Sequence, residues 1–350
     1  MHFFFRNVND AFQGLVRGIH NRDLPTVRTS SRAGDVLMVP EPVVVSYAYP
    51  RECVLLHPAR DANPFFHLFE ALWLLAGRND VEPLRYYNSH IADVASDNGI
   101  TFNGAYGYRW RHGVDQLDLI VDHLRSKPDS RRAVLQMWNV QDDLMNVSWT
   151  KDVCCNTHAY FALVNGKLEV TVCNRSNDLI WGLLGANAVQ FAVLLEYVAS
   201  RLNVPMGRYH QITNNLHVYL DNWKPKEWLD NDLTVYGSRP LAYGRDVSSD
   251  GVVLCWNVKL FDAEVRRFVD SIDGAPFKEP FLEHVARPMM AAFRKHKLRL
   301  YYGDNSALEL MEQVTASDWR LAGKLWLQRR KERWEAQSRA PLTPTAALDG

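Results

Sequence analysis

Two adjacent thiols, Cys154 and Cys155, close the segment KDVCC just ahead of a β-rich run. A thiolate is a strong nucleophile near neutral pH, so a cysteine at a strand edge suits attack on an electron-poor carbon. A cysteine inside a cell is also commonly inert packing, and its position alone leaves both readings open. Further on, Arg175, Ser176 and Asp178 in CNRSND bring a planar cation, a hydroxyl and a carboxylate close together. In a strand Arg175 and Asp178 would face opposite sides, so the cluster belongs at a strand end that enters a loop lining a site. Arg131 and Arg132 in PDSRRAV, with Arg175 and Arg32, could form a set of guanidiniums suited to bidentate phosphate binding. A solvated turn is the alternative for the adjacent pair.

Four further polar positions stand in apolar surroundings. His217 and Tyr219 in NNLHVYL lie two apart and share one face of a strand, where they can hold a sugar hydroxyl or simply satisfy each other in the interior. Asn187, after the glycines of GLLGAN, opens an apolar helix as a cap or as an amide offered to a ligand. One donor and one acceptor match the N3–H and O4 edge of uracil, whereas the cytosine edge is better met by a protonated carboxylic acid. Glu70 sits inside FFHLFEALWLLA, a run apolar nearly all round. A buried carboxylate there is costly unless it is partnered or used in chemistry.

These residues need a scaffold, and the hydrophobic patterns describe one. Periodicity predicts helices over 9–20, 65–76 and 186–202. RAVLQMW, HAYFALV and KLEVTVC read as strands, with Asn165-Gly166 as the hairpin turn between the last two, and 206–220 reads as a further β-like stretch. Strands and helices do not alternate regularly, which predicts an α+β fold with helices packed on a mixed β-sheet. No repeat or low-complexity linker interrupts residues 1–322, so they read as one domain. Residues 323–350 read as a charged helix (QRRKERWEAQSR) and a loose tail (APLTPTAALDG).

Composition narrows the function classes. Lys+Arg and Asp+Glu are both 40, so the net charge is zero, which argues against a nonspecific nucleic-acid or acidic-membrane binder. Arg6, Asn7, Asn9 and Asp10 break the apolar start before it reaches signal-peptide length, and no apolar run suggests a membrane span. Five cysteines, an odd number without CxxC, read as free thiols in a reducing cytoplasm, and no metal site is expected.

In order and spacing, SRRAV, Cys155, NGKL, RSND and HVY resemble the thymidylate synthase superfamily, which includes thymidylate synthases and phage deoxypyrimidine hydroxymethylases. The resemblance runs from about Arg32 to Asn222. It implies a sheet-to-sheet homodimer acting on a deoxynucleoside monophosphate, with 5,10-methylenetetrahydrofolate as co-substrate. By the same resemblance Cys155 is the nucleophile that adds to C6 of the pyrimidine, and an arginine beside it favours the thiolate. Arg175, Ser176 and Arg32 would hold the 5′-phosphate, with Arg131 and Arg132 reaching in from the second subunit. His217 and Tyr219 would bind the 3′-hydroxyl, Asn187 would read the base, and Glu70 would organise the water and proton relay. Tyr106 would assist proton removal from C5, and Asp178 would hold the pterin. If the pattern came from a virus, the host cytoplasm is the expected location.

The chain departs from the pattern in ways that bear on the product. Ala92 in SHIADVASDNG falls where synthases carry a tryptophan that packs on the folate and the exocyclic methylene. Losing that wall admits water to the methylene, which favours hydroxymethyl transfer over methylation. Asn156 replaces the histidine that follows the cysteine in synthases, altering the relay at the base. Asn187 at the base position, in a loop one residue longer than usual, favours dUMP over dCMP. The expectation is therefore dUMP hydroxymethylation. The alternatives are thymidylate synthesis with a tryptophan such as Trp110 supplied from elsewhere, then dCMP hydroxymethylation or methylation, then a noncatalytic nucleotide- or RNA-binding relative.

Overall fold

The chain is seen here in a computed structural model, which describes residues 1–95, 99–145, 151–221, 241–298 and 305–339. The tail APLTPTAALDG lies outside the described residues.

Among the described residues, ten strands form two sheets. They are β1 (His2–Phe5), β2 (Val27–Ser31), β3 (Gly34–Met38), β4 (Val43–Tyr47), β5 (Val134–Gln136), β6 (Asn156–Val164), β7 (Lys167–Asn174), β8 (Asn177–Asp178), β9 (Met206–Thr213) and β10 (Leu216–Tyr219). The larger sheet has the order β1-β4-β9-β7-β6-β5, and the smaller β2-β3-β10-β8. Parallel pairs (β1 with β4, β7 with β9, β8 with β10) stand among antiparallel ones, so the sheets are mixed as expected. Asn165 and Gly166 both take positive φ, 49° and 74°, the conformation that a tight two-residue hairpin requires between β6 and β7.

The expected 206–220 stretch is two strands in different sheets. β9 lies inside the large sheet between β4 and β7, and β10 lies in the small sheet between β3 and β8. The chain crosses from one to the other at Asn214–Asn215, and the Asn215 side chain bonds the His217 ring on arrival. RAVLQMW contributes only the three residues of β5.

Helices α1 (Val8–His20), α2 (Pro64–Leu75), α3 (Val81–Tyr87), α4 (Tyr106–Arg111), α5 (Gln116–Ser126) and α6 (Asn187–Leu202) follow their apolar periodicity, with three of them matching the predicted spans within two residues. Helix α6 packs on β7 and β9, and α2 packs against α6 in turn. Every residue of α2 is buried, Glu70 included, as its apolar surface demands. The apolar run Leu179–Leu202 is long enough to cross a membrane by length and composition, but it is largely buried and forms the central core layer. The helix Ser317–Arg339 passes through position 323 without a break. Its Trp319, Trp326 and Leu327 are buried, so its first half is docked on the core while its charged half continues outward.

Candidate active site

β6 begins directly after Cys155, and β7 ends directly before Arg175. Because these strands are antiparallel neighbours, Asn156 lies opposite Asn174 and the two motifs meet at one end of the sheet. The Arg175 amide donates to the Cys155 carbonyl at 3.0 Å, its Nε to the Cys154 carbonyl at 2.7 Å and its Nη2 to the Val153 carbonyl at 3.0 Å. Nη2 also lies 3.8 Å from Cys155 Sγ. A bulge between Asn156 and His158 turns the strand start away from regular register.

This end of the sheet opens into a cavity of about 450 Å³. Glu70, Tyr106, Cys155, Ser176, Asp178, Asn187, His217 and Tyr219 all line it. They arrive from α2, α4, the β6 and β7 ends, β8, α6 and β10, elements far apart in sequence. The His217 and Tyr219 rings share a face as expected, with centroids 5.0 Å apart and planes nearly perpendicular.

Arg32 and Arg175 stand close enough to act on Cys155 electrostatically without being lining residues. Arg32 is held by the Lys151 carbonyl at 2.9 Å. Arg131 and Arg132 are exposed on the approach to β5 and do not reach this cavity within the subunit. Asn156 is fully buried, its side chain bonded to Asn174, and its backbone bonds the Tyr106 phenol. It faces the sheet rather than the cavity. Ala92 does not line the cavity either: it packs against the hydrophobic core, while Asn88 and Ile91 from the same region provide the wall. Trp110 is fully buried beside Phe191 and takes no part in the lining.

Burial governs the electrostatics here. It pushes the Glu70 carboxyl up to about 7, against the lowering effect of a hydrogen bond with Gln190. One Glu70 oxygen, Oε2, is buried without a hydrogen-bond partner, which is costly unless a ligand meets it. Asp178 is likewise pushed up to about 6 by burial, the Ile180 and Trp181 amides and the Arg60 charge opposing the rise. The Cys155 thiol is also raised by burial, which outweighs the opposing charge of Arg175. The arginine expected beside the thiol is therefore present and favours the thiolate, but it does not win in the free pocket. Among the described residues no group of three or more His, Cys, Asp and Glu side chains is placed to hold a metal ion.

Several cavity residues escaped the sequence reading. Trp73 and Trp181 supply aromatic surface, and Asn177 is 4% exposed with its Nδ2 unpartnered. Gln190 accepts from Asn187 Nδ2 at 3.3 Å and bonds Glu70, linking the Asn187 amide and the buried acid. One signal was available: Gln190 and Trp181 each stand three residues beyond a flagged position, Asn187 and Asp178, one helical turn along. Trp181 was missed because the helical conformation already begins at Leu179, in a π-helical segment that continues to Ala186.

Gly182 explains why that segment is tight. A Cβ there would stand 1.8 Å from Asn177 Oδ1 and 3.0 Å from Asn187 Oδ1. Gly182→Ala should therefore destabilise the protein by about 2 kcal/mol through forced displacement of these amides. Denaturant midpoints would measure this, and an unchanged midpoint would show that the amides move aside freely.

The profile of the thymidylate synthase family matches residues 59–234, half of the chain and the part that carries most of the cavity. Across 98% of both chains, the sequence is 40% identical to a deoxyuridylate hydroxymethyltransferase of Pseudomonas phage M6. The chain belongs to the thymidylate synthase family. A second relative, the deoxyuridylate hydroxymethyltransferase of Bacillus phage SP01, is 42% identical over 56% of this chain and 54% of its own length. The thymidylate synthase of Vesicomyosocius okutanii is more distant, at 25% identity over 61% of this chain and 78% of its own. This member of the thymidylate synthase family is thus similar to one hydroxymethyltransferase over nearly its whole length and to a second over about half of it.

Proposed function

We propose that this enzyme transfers a hydroxymethyl group to C5 of dUMP, giving 5-hydroxymethyl-dUMP, with 5,10-methylenetetrahydrofolate as co-substrate. The observation that carries this is the single cavity in which Cys155, Glu70, Asn187, His217 and Tyr219 meet, in a chain similar end to end to a deoxyuridylate hydroxymethyltransferase.

In this reading Arg175, Ser176 and Arg32 hold the 5′-phosphate, and His217 with Tyr219 holds the 3′-hydroxyl. Asn187 Nδ2 is engaged with Gln190, which leaves the Oδ1 acceptor for uracil N3–H. Cys155 Sγ then bonds to C6, and the electron pair displaced from the C5–C6 double bond makes C5 nucleophilic. The folate supplies one carbon at the oxidation level of formaldehyde. Tyr106, held by the Asn156 backbone, assists loss of the C5 proton. Glu70 positions the water whose oxygen ends on the new carbon. The sulfur leaves C6 as the double bond re-forms, so dUMP, methylenetetrahydrofolate and water give 5-hydroxymethyl-dUMP and tetrahydrofolate with no net redox change. The residues fit such a co-substrate: Phe66, Trp73, Phe102 and Trp181 offer apolar surface for a flat heterocycle, with the buried Asp178 carboxyl beside them for its polar edge. Openness to water rests on Asn88 and Ile91, which carry no aromatic ring, in place of the role first given to Ala92.

The reading includes a homodimer through the large sheet. The outward face of that sheet exposes Phe4, Val134, Tyr160 and Val164, apolar surface of the kind a second subunit covers. Arg131 and Arg132 lead into its edge strand β5, from which they can complete the partner's phosphate site. Residues 1–322 form the catalytic domain in this view, with 323–350 appended, and the enzyme works in the cytoplasm, that of the host if the source is viral.

Mass spectrometry of nucleotides after incubation with methylenetetrahydrofolate and either dUMP or dCMP tests the activity. A gain of CH2O on dUMP alone is expected. A gain of CH2 would establish a methylating synthase, and a gain on dCMP would overturn the role of Asn187. For the dimer, mixing a Cys155→Ser subunit with an Arg131→Ala/Arg132→Ala subunit should restore part of the activity that each lacks. Mixtures as inactive as their components would remove the shared site.

A further inference from the structure

Arg60 is 2% exposed, and it sits behind the cavity wall. Its Nε donates to the Ile180 carbonyl at 3.1 Å, and its guanidinium carbon lies 4.7 Å from the centre of the Trp181 ring. The absence of a side chain at Gly185 leaves room for it, since a Cβ there would stand 3.1 Å from Nη2. Its charge also acts on Asp178. One buried cation thus packs on the aromatic and lies within electrostatic reach of the carboxylate of the same wall. A buried guanidinium is costly and persists only where its surroundings hold it in place.

The next residue is anchored to the C-terminal helix. Asp61 takes a left-handed backbone conformation, φ 48°, which turns its side chain to the Ser317–Arg339 helix. There it accepts from Arg329 Nε at 2.9 Å, from Arg330 Nη1 at 2.7 and 2.8 Å and from Arg333 Nη2 at 2.7 Å. Arg330 in turn stacks on the buried Trp326 at 4.0 Å, which ties this arginine cluster to the docked half of the helix. Three guanidiniums share one carboxylate, so losing its charge leaves them repelling each other and loosens the joint. Trp181 itself is 43% exposed and lines the cavity, one face against Arg60 and much of its remaining surface open.

We infer that Trp181 is the platform for the aromatic part of the folate co-substrate, and that the C-terminal helix sets its position through Asp61 and Arg60. This rests on the folate reading above and adds to it a task for the helix. Arg60 and Asp61 are positioning residues, since they act through Trp181. Stacking on a ring polarised by a desolvated cation, and held in one rotamer by it, contributes binding that a free-swinging tryptophan does not.

The test uses the full-length enzyme and five variants: Trp181→Leu, Asp61→Asn, Asp61→Glu, Arg60→Met and the double Trp181→Leu/Asp61→Asn. Trp181→Leu and Asp61→Asn should each raise KM for methylenetetrahydrofolate about tenfold, with kcat at saturating folate and the calorimetric Kd for dUMP changed less than about twofold. Asp61→Glu should recover most of the loss. The double variant should be no worse than Trp181→Leu alone, because the clamp acts only through the ring. Additive losses would overturn the coupling, and an unchanged KM in Asp61→Asn would overturn the clamp. An equal rise in the dUMP Kd would show general loosening and also overturn the proposal. If Arg60→Met does not fold, the Trp181 and Asp61 variants carry the test. A wild-type enzyme that shows no saturation with folate would instead refute the folate reading itself.

Discussion

Replacing Cys155 by serine is expected to remove turnover, by on the order of a thousandfold or more, while dUMP binding stays measurable. A serine hydroxyl is a far weaker nucleophile than a thiolate. The surrounding geometry does not depend on the sulfur. Arg175 is held by three backbone contacts, to the carbonyls of Val153, Cys154 and Cys155, which the substitution leaves in place. Calorimetry with dUMP and product mass spectrometry on the same preparation separate the two effects. Retained activity in Cys155→Ser would remove the nucleophile, and with it the mechanism. Because burial holds the thiol above its usual range even beside Arg175, the wild-type rate should also rise with pH through the neutral region.

Glu70→Gln is the second large effect. The glutamine is isosteric, but it neither ionises nor carries a proton between water and the base, so kcat should fall by on the order of a hundredfold or more. The same variant has a stability signature of fixed sign. Burial raises the folded-state pKa of Glu70 from 4.5 to about 7, so the folded protein holds this proton more tightly than the unfolded chain does. Its contribution is fully present below about pH 4.5 and is lost as pH rises through about 7. Relative to the wild type, Glu70→Gln should therefore gain stability across that window, by about 3 kcal/mol at its top. Denaturant titrations of both proteins at pH 4.5, 6 and 7.5 would show the divergence. Parallel curves would mean that Glu70 is not a buried, proton-holding acid.

Asn187, Asp178 and Arg175 were legible in the sequence because each stood out locally: an amide opening an apolar helix, and a carboxylate and a cation clustered with a hydroxyl at a strand end. All three are placed at or against the cavity. Ala92 shows where such reasoning stops. In a short helical segment a neighbour one position away points in a different direction, so of two residues that both pack on the core only Ile91 also lines the cavity. Asn156 differs for a similar reason, since alternation along β6 turns its side chain inward beside Asn174. Arg60 carried no local signal at all. It precedes α2 among ordinary loop residues, and its task comes from Trp181 and Asp178, more than a hundred positions away.

By itself the sequence determined the chemistry on offer and the local elements: a thiol at a strand start, an amide at a helix start, an acid within an apolar helix, the hairpin at Asn165-Gly166 and an α+β class. These are written in composition and in periods of two and 3.6, which depend only on near neighbours. The tertiary structure decided which of those groups share a cavity, how far burial moves Glu70, Asp178 and Cys155, and that a C-terminal helix braces the wall holding Trp181. Strand order, parallel pairing and helix docking bring together residues distant along the chain, and their energies depend on register and burial that no local pattern encodes.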